Sequence, residues 1–140
     1  MKEKILIVED NPRNMRLLKM TLRPHGYTLL EATDGEGALE IAVRGKPNLI
    51  IMDIRLPKMN GLEVTKRLRQ IPALRHIPII AVTAYAMKGD KEKVIEAGCD
   101  AYLPKPINTR ELPGMIAAML LHRQRDSTPA ALEQQCERKS

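Results

Sequence analysis

Five polar residues stand at or just beyond the ends of short apolar runs, and their types suit phosphoryl chemistry around a divalent cation. Glu9 and Asp10 follow Ile5-Leu6-Ile7-Val8, and Asp53 follows Leu49-Ile50-Ile51-Met52. Thr83 follows Pro78-Ile79-Ile80-Ala81-Val82, and Lys105 comes two residues after Ala101-Tyr102-Leu103. Each has an ordinary reading alone: Asp10 as a helix cap, Thr83 as a strand residue, Lys105 as a solvated loop charge. Together the three carboxylates and one ammonium sum to −2, and like charges crowded in a half-buried site repel strongly. A hard divalent cation relieves that repulsion. Mg²⁺ fits, because it takes one or two carboxylates and completes its shell with waters and phosphate oxygens. Asp53 can then act as a carboxylate nucleophile towards a phosphoryl group and form an acyl phosphate. Lys105 would balance the phosphoryl oxygens, and the Thr83 hydroxyl could hydrogen-bond one of them.

These residues meet only if the chain brings the strand ends to one edge. The run before Asp53 is continuously apolar and is followed by Pro57 and Asn60-Gly61, the pattern of a strand buried on both faces and leading through a turn into a helix. Asn11-Pro12 supplies an N-cap and a first-turn proline for a helix carrying Met15, Leu18 and Leu22, which Pro24 and Gly26 end. Residues 27–32 read as a short strand. Asp34 caps a second helix with Ala38, Ile41 and Ala42 inward, and Gly45 and Pro47 close it. Val64, Leu68 and Ile71 mark a third helix, Met87 to Ala97 a fourth, and Leu112, Ile116, Met119 and Leu120 a fifth. Pro113 conflicts with that last helix, because beyond the first helical position a proline removes a hydrogen bond and crowds the previous turn. Five strand–helix alternations predict a parallel sheet with helices on both faces and right-handed crossovers. All five strand ends then share one edge, where open α/β sheets bind their ligands.

The 140 residues suit one domain with a real core, and 44% apolar content fits a globular chain. Phe and Trp are absent, so the core is aliphatic with eight Met as filler. The net charge of +6 is spread along helices without a long Lys/Arg block, which gives no signal for specific nucleic-acid binding. Cys99 and Cys136 form neither a CxxC pair nor a disulfide framework, and the apolar stretch near Met1 is too short for a signal peptide or a membrane span. A soluble, cytoplasmic protein is expected. Residues 1–122 form the expected domain, and 123–140 read as a short helix extension followed by a disordered polar tail.

Val8-Glu9-Asp10-Asn11, Met52-Asp53-Ile54-Arg55-Leu56-Pro57, Asn60-Gly61, Thr83-Ala84 and Lys105-Pro106 together resemble the receiver domain of bacterial two-component response regulators. The resemblance covers residues 3–122. Residues 83–90 are further similar to single-domain regulators of the DivK and CheY-like type and to receivers of hybrid histidine kinases. The resemblance implies a flavodoxin-like (βα)5 fold, a three-layer sandwich with strand order 2-1-3-4-5. It assigns Asp53 as phosphoacceptor, and Glu9, Asp10, Asp53 and the Arg55 backbone carbonyl as the Mg²⁺ site, Glu9 acting through a water. Lys105 becomes the phosphoryl-binding base, Thr83 and Tyr102 the switch pair, and Lys105–Pro106 a cis peptide. The implied partners are a histidine kinase or histidine phosphotransfer protein and a downstream protein target. Homodimerisation through the fourth helix, fifth strand and fifth helix is left open. Arg55 and Tyr85, two positions past Asp53 and Thr83, are placed to control water at the phosphoryl group.

Two other classes compete. A phosphotransferase or phosphatase of the haloacid dehalogenase type would resemble Asp-x-Asp, but Arg55 stands at the second acid's place and no cap insertion exists. A flavin or nucleotide binder wants a Gly/Ser/Thr-rich loop after the first strand, and Glu9-Asp10 would repel its anion. The leading expectation is therefore a phosphorylation-operated switch without turnover of an external substrate. A receiver detached from a hybrid histidine kinase is its nearest variant.

Overall fold

The computed structural model describes residues 3–56, 58–83 and 88–126. Strands and helices alternate as β1 (Lys4–Val8), α1 (Pro12–Leu22), β2 (Thr28–Ala32), α2 (Gly35–Gly45), β3 (Leu49–Asp53), α3 (Gly61–Gln70), β4 (Ile79–Thr83), α4 (Lys88–Ala97), β5 (Ala101–Pro104) and α5 (Leu112–Asp126). The five strands are parallel in the order β2-β1-β3-β4-β5, the flavodoxin-like arrangement expected. β3 lies at the centre and every residue in it is buried.

The sheet divides the interior into two cores. On one face Leu6, Val8, Ile50, Met52, Ile79 and Ala81 pack against residues of α2, α3 and α4. On the other, Ile5, Ile7, Leu49, Ile51, Ile80, Val82 and Leu103 pack against α1 and α5. Strand side chains alternate in direction, so each apolar run has to be continuous to feed both cores.

Side-chain caps start the first three helices. Asn11 Oδ1 accepts from the backbone N–H of Arg13 at 2.9 Å and of Asn14 at 3.3 Å. Asp34 Oδ1 accepts from Gly37 N–H at 2.7 Å, and Asn60 Oδ1 from Glu63 N–H at 2.9 Å. Each cap is worth about 1 kcal/mol. The Pro113 conflict does not arise. α5 begins at Leu112, so Pro113 is its second residue and falls between the turn closed by Leu112 N–H to Asn108 O at 3.1 Å and the bond from Met115 N–H to Glu111 O, where the chain accommodates a missing N–H. Asn108 prepares that start, its Oδ1 accepting from Arg110 N–H at 3.0 Å and Glu111 N–H at 3.2 Å.

α5 continues past residue 122 to Asp126, and residues 127–140, including Cys136, lie outside the described residues. Opposite the strand ends that carry the acids, the Arg69 guanidinium donates to the carbonyls of Arg75, Ile77 and Gly98 and to Asp100 Oδ2. It ties the end of α3 to the start of β4 and to the turn after α4. No described helix is long and apolar enough to cross a membrane.

Candidate functional site

The parallel sheet delivers its acidic residues to one edge, and the hydrogen-bond ladder fixes their backbones there. Glu9 N–H donates to Ala32 O at 3.0 Å, Ile54 N–H to Val82 O at 3.0 Å, and Lys105 N–H to Thr83 O at 2.8 Å. Each bond continues the pairing just past a strand end, so the carboxylates and the ammonium start from rigid positions. Asp53 keeps the alternation of Leu49 and Ile51, and Lys105 that of Leu103, on the α1/α5 side of the sheet. Thr83 keeps the alternation of Ile79 and Ala81, on the other side.

Glu9 and Asp53 are each only 2% exposed, whereas Asp10 is open to solvent. One oxygen from each of the three carboxylates lies within 4.8 Å of the others. Lys105 Nζ stands 3.1 Å from Asp53 Oδ2 and 3.6 Å from Glu9 Oε2. The other Asp53 oxygen, Oδ1, accepts from Arg55 N–H at 3.1 Å. Glu9 Oε1 accepts from Asn14 Nδ2 at 3.1 Å and from Asn11 N–H at 3.3 Å. Burial, reinforced by the neighbouring Asp53 carboxylate, pushes the Glu9 carboxyl up to about 7, against the opposing pull of Asn14 and Lys105. Within this cluster, one ammonium faces three acids.

That donor set fits Mg²⁺. Oxygens at about 2.1 Å around an octahedral ion lie about 3 Å apart when adjacent and about 4 Å when opposite, and three acids whose oxygens lie within 4.8 Å of one another can converge on one ion directly or through its waters. Two buried carboxylates form the floor, and exposed Asp10 leaves an open side for water and a phosphoryl group.

Sequence reasoning treated Asn60-Gly61 as a turn and did not single out Gly61 itself. A Cβ there would stand 2.3 Å from the carbonyl oxygen of Asp53 and 2.9 Å from the Cα of Ile54. Gly61 N–H also donates to Ile54 O at 2.8 Å. Only glycine lets α3 start this close to the β3 end, and its amide then holds the loop that carries Asp53. Asn14 went unremarked too, although its place one turn into a helix that starts beside Glu9 points it back at the acid.

Glu9, Asp10, Asp53 and Lys105 therefore lie together at the carboxyl edge of the sheet. Arg55 is exposed beside Asp53, and Thr83 is buried at the end of β4. Tyr102 is half-buried on β5, packs against the α2–α4 core, and pairs in register with Ala81, two residues before Thr83. Thr83 and Tyr102 thus share a sheet face as diagonal neighbours. Lys105–Pro106 is cis. Tyr85, Ala84 and Pro57 lie outside the described residues.

The fold and the acidic strand-end site define a class of signalling domain. Residues 5–117 match the response regulator receiver domain, and the chain belongs to that family. It is 49% identical over 108 residues to the polar-differentiation response regulator DivK of Brucella anthropi, covering 77% of this chain and 88% of that one. A CheY-like receiver domain protein from Methanospirillum hungatei superposes with a TM-score of 0.84 at 29% identity, over 91% of this chain and all of that one. The receiver domain of the sensor histidine kinase PA1611 from Pseudomonas aeruginosa gives 0.80 at 38% identity, over 86% and 98% of the two chains. That structure has a magnesium ion coordinated in its active-site cleft.

Proposed function

We propose that this protein is a phosphorelay switch in which Asp53 accepts a phosphoryl group from a phosphohistidine. The observation that carries the reading is the buried Asp53 carboxylate, with Lys105 Nζ at 3.1 Å and two further acids beside it. A strand-end carboxylate this enclosed needs a counter-charge, and the single ammonium leaves the cluster anionic.

Asp10, Asp53 and the Arg55 carbonyl would hold Mg²⁺ directly, and Glu9 would do so through a water. When bound, the ion would offset the net charge of the acids and polarise the incoming phosphoryl group. Arg55 N–H and Lys105 orient the two Asp53 oxygens. An Asp53 oxygen attacks phosphorus in line, the new O–P bond forms as the P–N bond breaks, and the electron pair stays on the donor imidazole. Lys105 then exchanges its carboxylate partner for a phosphoryl oxygen. The Thr83 hydroxyl donates to another phosphoryl oxygen and vacates space for Tyr102 on the same sheet face. That remodels the surface formed by α4, β5 and α5, where a protein target or a second copy would read the state.

Residues 1–122 act as the receiver unit of a cytoplasmic regulator, with no turnover beyond self-phosphorylation and self-dephosphorylation. The 49% identity to DivK supports a response regulator that signals through protein partners. The PA1611 likeness supports the variant in which the receiver serves a hybrid histidine kinase.

The test is labelling with a small acyl phosphodonor and Mg²⁺. One hydroxylamine-labile phosphate per chain is expected, with none in Asp53→Asn. Equal labelling of that variant, or repeated turnover of a bound substrate, refutes the reading.

A further inference from the structure

We propose that Asn14 is a positioning residue for the cation site, its side-chain amide aiming the Glu9 carboxylate. The inference rests on the reading of Glu9, Asp10 and Asp53 as a Mg²⁺ site. The two oxygens of Glu9 have different partners. Oε1 turns towards α1, where Asn14 Nδ2 donates at 3.1 Å and Asn11 N–H at 3.3 Å. Oε2 is left on the cluster side, 3.6 Å from Lys105 Nζ. Glu9 is buried, so these contacts and not bulk water decide where its charge sits.

Asn14 is itself held. Its backbone N–H donates to Asn11 Oδ1 at 3.3 Å, so the cap that starts α1 also seats the residue that orients Glu9. An amide donor is the chemistry required. A carboxylate has no hydrogen to offer Oε1, and an apolar side chain would leave only the longer bond from Asn11. Glu9 would then swing towards Lys105, its remaining strong partner. That movement draws the ammonium from Asp53, 3.1 Å away, and takes Oε2 out of reach of a cation or its waters. Asn14 thus keeps Glu9 for the metal and Lys105 for Asp53. Partners that orient metal ligands commonly change affinity by about 10- to 100-fold when removed. The low end applies here, because the Asn11 N–H remains.

Mg²⁺ affinity is measured by calorimetry on the full chain and on Asn14→Ala, Asn14→Asp, Glu9→Gln and the double variant Glu9→Gln/Asn14→Ala. Asn14→Ala should bind Mg²⁺ about tenfold more weakly, and Asn14→Asp more weakly still. Alanine is the strongest helix former, so α1 should survive, and the thermal transition checks the fold. The double variant should match Glu9→Gln alone, because with no carboxylate at position 9 there is no charge left for Asn14 to aim at the cation. With a small phosphodonor, Asn14→Ala should need more Mg²⁺ and reach a near-normal rate at saturation. Unchanged affinity in Asn14→Ala, or additive losses in the double variant, overturns the proposal. A parent chain that binds no Mg²⁺ overturns the metal-site reading beneath it.

Discussion

Glu9→Gln tests the electrostatics of the site without any partner protein. Burial and the Asp53 carboxylate raise the Glu9 carboxyl from its ordinary 4.5 to about 7, so the metal-free folded protein holds this proton more tightly than the unfolded chain does. Stability from this group is complete below pH 4.5 and is lost as the pH rises towards 7. At about 1.4 kcal/mol per pH unit, the loss is about 1 kcal/mol at pH 5 and about 3 kcal/mol at pH 8. Glutamine keeps an acceptor for Asn14 and for the Asn11 N–H, and it carries no charge to desolvate. In chelator, urea unfolding should therefore show the variant gaining about 2 kcal/mol on the parent between pH 5 and pH 8. Excess Mg²⁺ should close most of the variant's lead at pH 8, since the cation stabilises the parent by about 2.7 kcal/mol at a hundred times its dissociation constant. A stability difference that does not move with pH would show that Glu9 is not the group carrying this charge.

Gly61→Ala drives a Cβ into the Asp53 carbonyl and should cost about 1–3 kcal/mol in urea unfolding and slow phosphorylation; parental stability and rate would mean that α3 can shift freely. Asp10→Asn should raise the Mg²⁺ needed for labelling while leaving the fold stable, because Asp10 is solvent-exposed; an unchanged Mg²⁺ titration removes it from the site. Arg55→Asn should shorten the life of the acyl phosphate by opening the approach to Asp53, and equal half-lives would place that control elsewhere. Thr83→Ala should accept phosphate yet bind its target almost independently of phosphorylation. A full phosphorylation-dependent gain in that variant refutes coupling through Thr83 and Tyr102.

The architecture was legible because three signals agreed: continuous apolar runs, Asn11, Asp34 and Gly45 at helix boundaries, and acids at the run ends. Shared direction of the strands was then enough to collect Glu9, Asp53, Thr83 and Lys105 at one edge. Distances set by how a helix start seats against a strand end are not fixed by hydrophobic pattern alone. The partition of the two Glu9 oxygens between Asn14 and Lys105, and the approach of Gly61 to the Asp53 carbonyl, are of that kind. Pro113 was misjudged for a simpler reason. Helix starts are uncertain by a residue or two from pattern alone, and that margin decides whether a proline breaks a helix or opens it.

The sheet is also a partition between two kinds of work. Asp53 and Lys105 follow the alternation of the core beneath α1 and α5, while Thr83 and Tyr102 belong with the core beneath α3 and α4. On the proposed reading, the residue that receives the phosphoryl group and the pair that reports it lie on opposite faces of the sheet, joined along the carboxyl edge of the strands. Substitutions that repack Leu18 should leave the Thr83 and Tyr102 face as it is, and those at Val94 should leave the Asp53 face intact, their effects adding because the sheet stands between them. Divergent partners could thus be acquired on one face while the chemistry on the other stays constant.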